Sequence, residues 1–212
     1  MTTMPAQMAN RWQHRPEPAP DEGTVYWHVL MRDYPQAVEL TRQAQRQLAP
    51  FGGLHMTPLE WLHITTMVAG PAADLASDQL DQMARTAAGL LADLPPVQVK
   101  LGRVLYHPEA ITLAVTPRRA LAPLREAARA ATRKVMNGQI PRSDSSAWTP
   151  HVTICYSTSD QPAQPIIAAL GRQLPECSIQ ISALSLVVQR GPERHWDWRT
   201  VNTIRLATKA TA

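Results

Sequence analysis

Apolar residues recur along this chain with two periods, and the periods alternate. From Val25 to Met31 every second residue is apolar. Val25, Trp27, Val29 and Met31 share one face, and Tyr26 and His28 share the other, the pattern of a half-buried strand. Pro35 suits the first turn of a helix running to about Leu48, where Pro50 and Gly52-Gly53 stop it. Glu60 to Val68 predicts a second strand. Ser77 is placed to cap a helix reaching about Leu91, with Leu80, Met83, Ala84, Ala87, Leu90 and Leu91 on one stripe. Pro95-Pro96 then opens a strand from Val97 to about Leu105.

The order then repeats. Ala110 to Val115 predicts a strand. Thr116 is placed to cap a helix with Pro117 at its first position, Leu121, Leu124, Ala128, Ala131 and Val135 on its apolar face, and Asn137-Gly138 at its end. After a loop rich in Ser, Arg and Pro come a strand over Pro150 to Tyr156 and a helix over roughly Ala163 to Leu174. A long strand over Ile179 to Gln189 and another over Trp196 to Leu206 are able to pair as a hairpin across Gly191-Pro192. Each half reads strand, helix, His-containing strand, helix, strand. That layout predicts a mixed α+β fold with two similar lobes.

Composition narrows the setting. Of 212 residues, 44% are hydrophobic and 18% charged, which suits a folded core. No run of about 18 apolar residues occurs, so no membrane is expected as a partner. Met1 to Pro20 lacks the apolar stretch of a secretory signal and is rich in Pro, Gln and Ala. Residues 1–20 are therefore expected to be a disordered leader, and residues 21–212 one bilobal domain in a cytoplasmic protein. Cys155 and Cys177 fit reduced thiols. A net charge of +4 mildly favours an anionic ligand.

The chemistry sits in two short phrases, His63-Ile64-Thr65 and His151-Val152-Thr153. Side chains alternate along a strand, so each His shares a face with its Thr while Ile64 or Val152 points into a core. Two such strands facing one another offer two imidazoles and two hydroxyls. That set suits a phosphodiester. A neutral imidazole takes a proton from the attacking oxygen, and a protonated one gives a proton to the leaving oxygen. The threonine hydroxyls of Thr65 and Thr153 donate to nonbridging phosphate oxygens. One such phrase means little, because His and Thr are both tolerated in strands. Two in equivalent slots of a repeated layout make His63 and His151 the candidate catalytic pair. The scheme needs no metal, the histidines lack close ligand spacing, and no glycine-rich phosphate loop points to ATP, so no cofactor is expected.

These residues resemble the two-histidine phosphoesterase superfamily, and in particular bacterial proteins of the 2′-5′ RNA ligase and 2′,3′-cyclic phosphodiesterase branch. The hallmark is a pair of His-x-Thr/Ser-x motifs with x usually hydrophobic. Here they are His63-Ile64-Thr65-Thr66 and His151-Val152-Thr153-Ile154, the second inside Trp148-Thr149-Pro150-His151-Val152-Thr153. The resemblance covers residues 24–207 in layout and is specific at the motifs. Thr66 departs from the usual hydrophobic residue and leaves the His and Thr in place. The resemblance implies two pseudo-twofold lobes of antiparallel sheet with helices outside and a central cleft. It also implies opening of a 2′,3′-cyclic phosphate to a 2′-phosphate, or cleavage of a 2′-5′ linkage. The expected partner is an RNA 3′ end or a cyclic nucleotide, as substrate. No obligate protein partner is evident.

Further candidates for substrate contact are His28 and Tyr26 on the polar face of the first strand, and Arg142 and Trp148 in the loop before the second motif, where Arg pairs with phosphate and Trp stacks on a base. Arg125, Arg129 and Arg133 form a helical stripe, more simply a solvated face. Trp196 and Trp198 read as packing, Cys155 as a cleft-facing residue following Thr153, His107 as part of a turn, and His55 and His195 as loop residues. The leading expectation is a cyclic phosphodiesterase. The alternatives are a nucleotide- or RNA-binding module without turnover, 2′-5′ RNA ligation, and hydrolysis of another cyclic phosphodiester.

Overall fold

Two antiparallel sheets, each containing one His-x-Thr strand, dominate the computed structural model, which describes residues 4–139 and 148–207. In chain order the elements are β1 (Gln7–Met8), β2 (Gly23–Leu30), α1 (Pro35–Leu48), β3 (Leu54–Met56), β4 (His63–Pro71), α2 (Ser77–Leu91), β5 (Val97–His107), β6 (Ala110–Ala114), α3 (Ala122–Val135), β7 (His151–Ser157), β8 (Gln161–Pro162), α4 (Gln164–Leu170), β9 (Gln173–Ile181), β10 (Ala183–Arg190) and β11 (Trp198–Arg205). The first sheet has the order β11-β10-β2-β4 and the second β3-β7-β6-β5-β9. All pairings are antiparallel. The fold class is the expected one: α+β, with two lobes of antiparallel sheet.

The halves of the chain are not the lobes, however. β5 leaves the first half to join the second sheet, while β10 and β11 return to the first. The helices cross over too. α1 packs on β9, β7 and α4 of the second lobe, whereas α2 and α3 pack together on β11 and β4 of the first. The indole of Trp27 on β2 donates to the hydroxyl of Thr132 on α3 at 3.1 Å, fastening that crossover inside the core. Each lobe therefore needs both halves of the sequence.

Several boundaries differ from the periodicity for local reasons. The long strand expected over Ile179 to Gln189 breaks at Ser182, where the chain passes from the second sheet to the first; Tyr34 Oη accepts the Ser182 N–H at 2.9 Å. The helix expected to reach Leu174 ends at Leu170, because Gly171 adopts φ 72° and the chain then pairs with β5. Thr116 does not cap a helix. Its backbone exchanges both hydrogen bonds with Lys100, at 2.7 and 3.0 Å, so α3 starts only at Ala122. Ser77 lies inside α2; the N-cap is Ala76, whose N–H is bound by Gln79 Oε1 at 2.8 Å. A 3-10 turn over Leu59–Trp61 delays β4 to His63.

The N-terminal residues correct the expectation of a disordered leader. β1 pairs with β8, and Met8 is buried in the main core. Ala9 donates its N–H to Pro108 O at 2.8 Å, and Arg11 donates its own to Ser157 O at 3.0 Å. Trp12 packs edge-on to His55 and Tyr156. Residues 4–15 thus form a strap across the second lobe, held by contacts with residues far along the chain.

Candidate active site

Each motif strand carries a β-bulge at the same place. In the β2–β4 ladder His28 pairs with Thr65 and Trp27 with Met67, leaving Thr66 as the extra residue. In the β6–β7 ladder Thr112 pairs with Thr153 and Ile111 with Cys155, leaving Ile154 extra. Up to the bulge the alternation holds. Ile64 and Val152 are fully buried in the core, while His63, Thr65, His151 and Thr153 line the space between the sheets. Beyond the bulge the alternation is reset. Cys155, expected to face the cleft, lies in the core, where burial pushes its thiol up to about 12. Tyr156 takes the cleft-facing place instead. The bulge also explains the unusual Thr66: its hydroxyl donates to the buried carbonyl of Trp27 at 2.8 Å, which a hydrocarbon side chain cannot do.

The two imidazoles are held alike. His63 Nδ1 lies 2.8 Å from Trp61 O, and His151 Nδ1 lies 2.8 Å from Thr149 O. A carbonyl oxygen only accepts, so each Nδ1 carries the hydrogen and each Nε2 is the ring's acceptor when neutral. The cleft narrows to a cavity of about 150 Å³ lined by both histidines and both threonines. Tyr26, His28, Tyr156, Glu193 and Arg11 also line it, with Gln189 and Trp196. Among the described residues no group of three or more His, Cys, Asp or Glu side chains is arranged to hold a metal ion.

The electrostatics differ across the cavity. Burial pushes His63 down to about 4. The hydrogen bond to Trp61 and the charge of Glu193 oppose that shift, and the nearby His151 adds to it. His28, whose ring centroid is 4.2 Å from that of His63, is held well below the usual histidine range by burial and then by His63. Among the described residues neither of its ring nitrogens has a hydrogen-bond partner. Burial, then Glu193, pushes Tyr156 up to about 12. Burial is the largest influence on Arg11 and works against its charge, but the bond to Glu193 and the charges of Tyr156, Glu193 and Glu109 together outweigh it, and the net shift is upward. That bond is a fork, Nε to Oε2 and Nη2 to Oε1, both at 2.8 Å. The same guanidinium reaches Glu109 at 3.2 Å and lies 4.4 Å above the Tyr156 ring.

Tyr26 and His28 stack on each other at 5.0 Å and line the cavity. Trp148 stands apart from it. Its indole N–H donates to Thr65 O at 2.9 Å and its ring lies 5.0 Å below Arg125, so it braces the first motif from behind rather than facing the cleft. Arg142 lies outside the described residues. Arg125, expected on a solvated face, is buried by that contact. Trp196 and Trp198 are packed, but against His63: Trp198 meets the ring edge-on at 5.1 Å, and Trp196 lies at 6.1 Å. Arg11, Tyr156 and Glu193 were not singled out from the sequence. Only Tyr156 left a signal there, two residues beyond Ile154 on the motif strand.

A family model described as the 2′-5′ RNA ligase superfamily matches residues 34–193. Among solved structures, TT0787 of Thermus thermophilus is 16% identical, with a TM-score of 0.64 over 88% of this chain and 99% of that one. E. coli LigT complexed with ATP is 14% identical, with a TM-score of 0.62 over 89% of this chain and 100% of that one. The MHV ns2 PDE domain is 14% identical, with a TM-score of 0.53 over 77% and 96%. At these identities the likeness is one of fold. No curated protein matches the chain. Among the described residues no helix is long and apolar enough to cross a membrane.

Proposed function

The chain belongs to the 2′-5′ RNA ligase superfamily, and from that premise we propose that it is a metal-independent phosphodiesterase that opens 2′,3′-cyclic phosphates of RNA ends or nucleotides to 2′-phosphates. The observation that carries this reading is the matched pair of imidazoles. Each has its Nδ1 tied to a carbonyl two residues upstream, and each lines one cavity beside a threonine hydroxyl. In this reading His63, the neutral ring, accepts a proton at Nε2 from the attacking water. The water oxygen bonds to phosphorus, the bond from phosphorus to the 3′-oxygen breaks, and Nε2 of His151 supplies the proton that the leaving 3′-oxygen takes. One water is consumed, and the two rings have exchanged protonation states. Thr65 and Thr153 donate to the nonbridging oxygens as charge builds there. His28, with Tyr26 stacked on it, packs against the His63 ring, and both shape the wall beside it.

Nucleotides as ligands are supported by the LigT structures, which are described as complexes with ATP, 3′-AMP and NADP+. With an RNA 5′-hydroxyl in place of water, the same pair forms a 2′-5′ linkage, so ligation is the second activity to assay. The test is turnover, in EDTA, of a 2′,3′-cyclic mononucleotide and of a short RNA with a cyclic end, with the product phosphate located. A 2′-phosphate from either supports the reading. A 3′-phosphate overturns the direction of opening, and no turnover of either substrate overturns the activity.

A further inference from the structure

Beside the two-histidine cavity lies a larger hollow of about 590 Å³, and Arg11, His151, Thr153 and Tyr156 line both. Its size falls in the range of small-molecule sites, about 300–1,000 Å³. Val104, Tyr106, Ala110 and Thr112, on β5 and β6, contribute to its lining. Among the described residues four arginines surround this part of the cleft: Arg11 and Arg15 from the N-terminal strap, Arg103 from β5, and Arg172 just after α4. Among the described residues the one carboxylate in the lining is Glu109, and it is already paired with Arg11 and Arg15. Arg103 and Arg172 are exposed, and among the described residues neither forms an ion pair; Arg172 bonds only the thioether of Met4, at 3.1 Å.

Unbalanced positive charge in a concave site concentrates anions, and guanidinium forks match phosphate oxygens in pairs. The hollow also lies on one side only. It adjoins His151, whereas His63 is packed against Trp196 and Trp198. A ligand longer than the reacting phosphate is therefore directed past His151 toward the arginines. We propose that this hollow is a second anion subsite, which binds the phosphate one nucleotide removed from the cyclic end, with the strap supplying part of its wall. The inference rests on the function proposed above and narrows its substrate class to chains or nucleotides carrying a further phosphate.

The test is equilibrium binding to the full chain of two unreactive ligands: a nucleoside 2′-monophosphate, and a dinucleotide ending in the same 2′-phosphate. The dinucleotide is expected to bind about tenfold tighter. Its dissociation constant is expected to depend more steeply on salt, by about 0.7 in log–log slope for one added phosphate. The double variant Arg103→Gln/Arg172→Gln brings the affinity ratio close to one, and Arg103→Lys/Arg172→Lys restores much of it. Equal affinities in the unaltered protein, or a ratio that survives the glutamine variant, overturn the subsite. If the ratio behaves as expected but no cyclic substrate is turned over, the subsite stands and the catalytic reading fails. Normal turnover with a ratio of one removes the subsite alone.

Discussion

The two His-x-Thr strands are one device set in two surroundings. Locally they match: Nδ1 on the carbonyl two residues back, a threonine next on the same face, and a bulge directly after it. Around them the protein differs. His63 is packed among His28, Trp196 and Trp198, and burial pushes it down to about 4. His151 is exposed and opens onto the arginine-lined hollow. The backbone next to a histidine sets its tautomer and aim, while the wider neighbourhood sets its protonation. In the function proposed above, a duplicated motif supplies a base and an acid without any change in the motif itself.

The harshest way to break that comparison is to remove each ring. His63→Ala and His151→Ala are each expected to lower kcat by about 10²–10⁴ while the circular dichroism stays that of the parent protein. Near-parental rates in either variant would end the claim that both rings act. Thr65→Val and Thr153→Val should each lower kcat by about 10². Unequal losses would show which hydroxyl meets the greater developing charge.

A third experiment reads the surroundings through stability. The folded pKa of His63 is about 4, below its unfolded value of 6.5, so between those values the unfolded chain binds more protons. Stability should therefore rise with pH across that window, be complete above 6.5, and be lost as pH falls toward 4. The loss is on the order of 3 kcal/mol for this group. His28, also shifted down, acts in the same direction. Urea denaturation at several pH values should show the slope, and His63→Phe should flatten it; an unchanged slope would mean that His63 is not the desolvated ring. The smallest effect separates the two bulges. Thr66→Val leaves the buried Trp27 carbonyl without its hydroxyl and should cost about 1–2 kcal/mol, whereas Ile154→Val removes one methyl and should cost about 1 kcal/mol.

Much of this comparison was legible in the chain because it rests on period-two alternation. His63 with Thr65, His151 with Thr153, and Tyr26 with His28 came out on the faces that alternation assigns them. Alternation fails at a bulge, and a bulge leaves no mark in composition, so simple alternation puts Cys155 in the cleft and Tyr156 out of it, the reverse of their places in the structure. The strap was hidden for another reason. Gln7–Met8 is too short a strand to show a period, and Arg11 is placed by Ser157, Glu109 and Glu193, all far away in sequence. The exchange of strands and helices between lobes was equally invisible, since a repeated order of elements says nothing about which sheet each one joins. Trp148 shows the limit of reading a residue by type: an indole beside a motif suggested stacking, but its N–H is bound by the Thr65 carbonyl.

The division of labour between the rings has a direct test. A 2′,3′-cyclic phosphate with sulfur in place of the bridging 3′-oxygen expels a thiolate, which leaves without needing a proton. Rates on the sulfur and oxygen substrates would be compared for the parent protein, His63→Ala and His151→Ala. The account predicts that His151→Ala recovers most of its lost rate on the sulfur substrate while His63→Ala stays impaired. Recovery by His63→Ala alone would reverse the roles, and equal rates for all three proteins on the oxygen substrate would contradict two-histidine catalysis at this site.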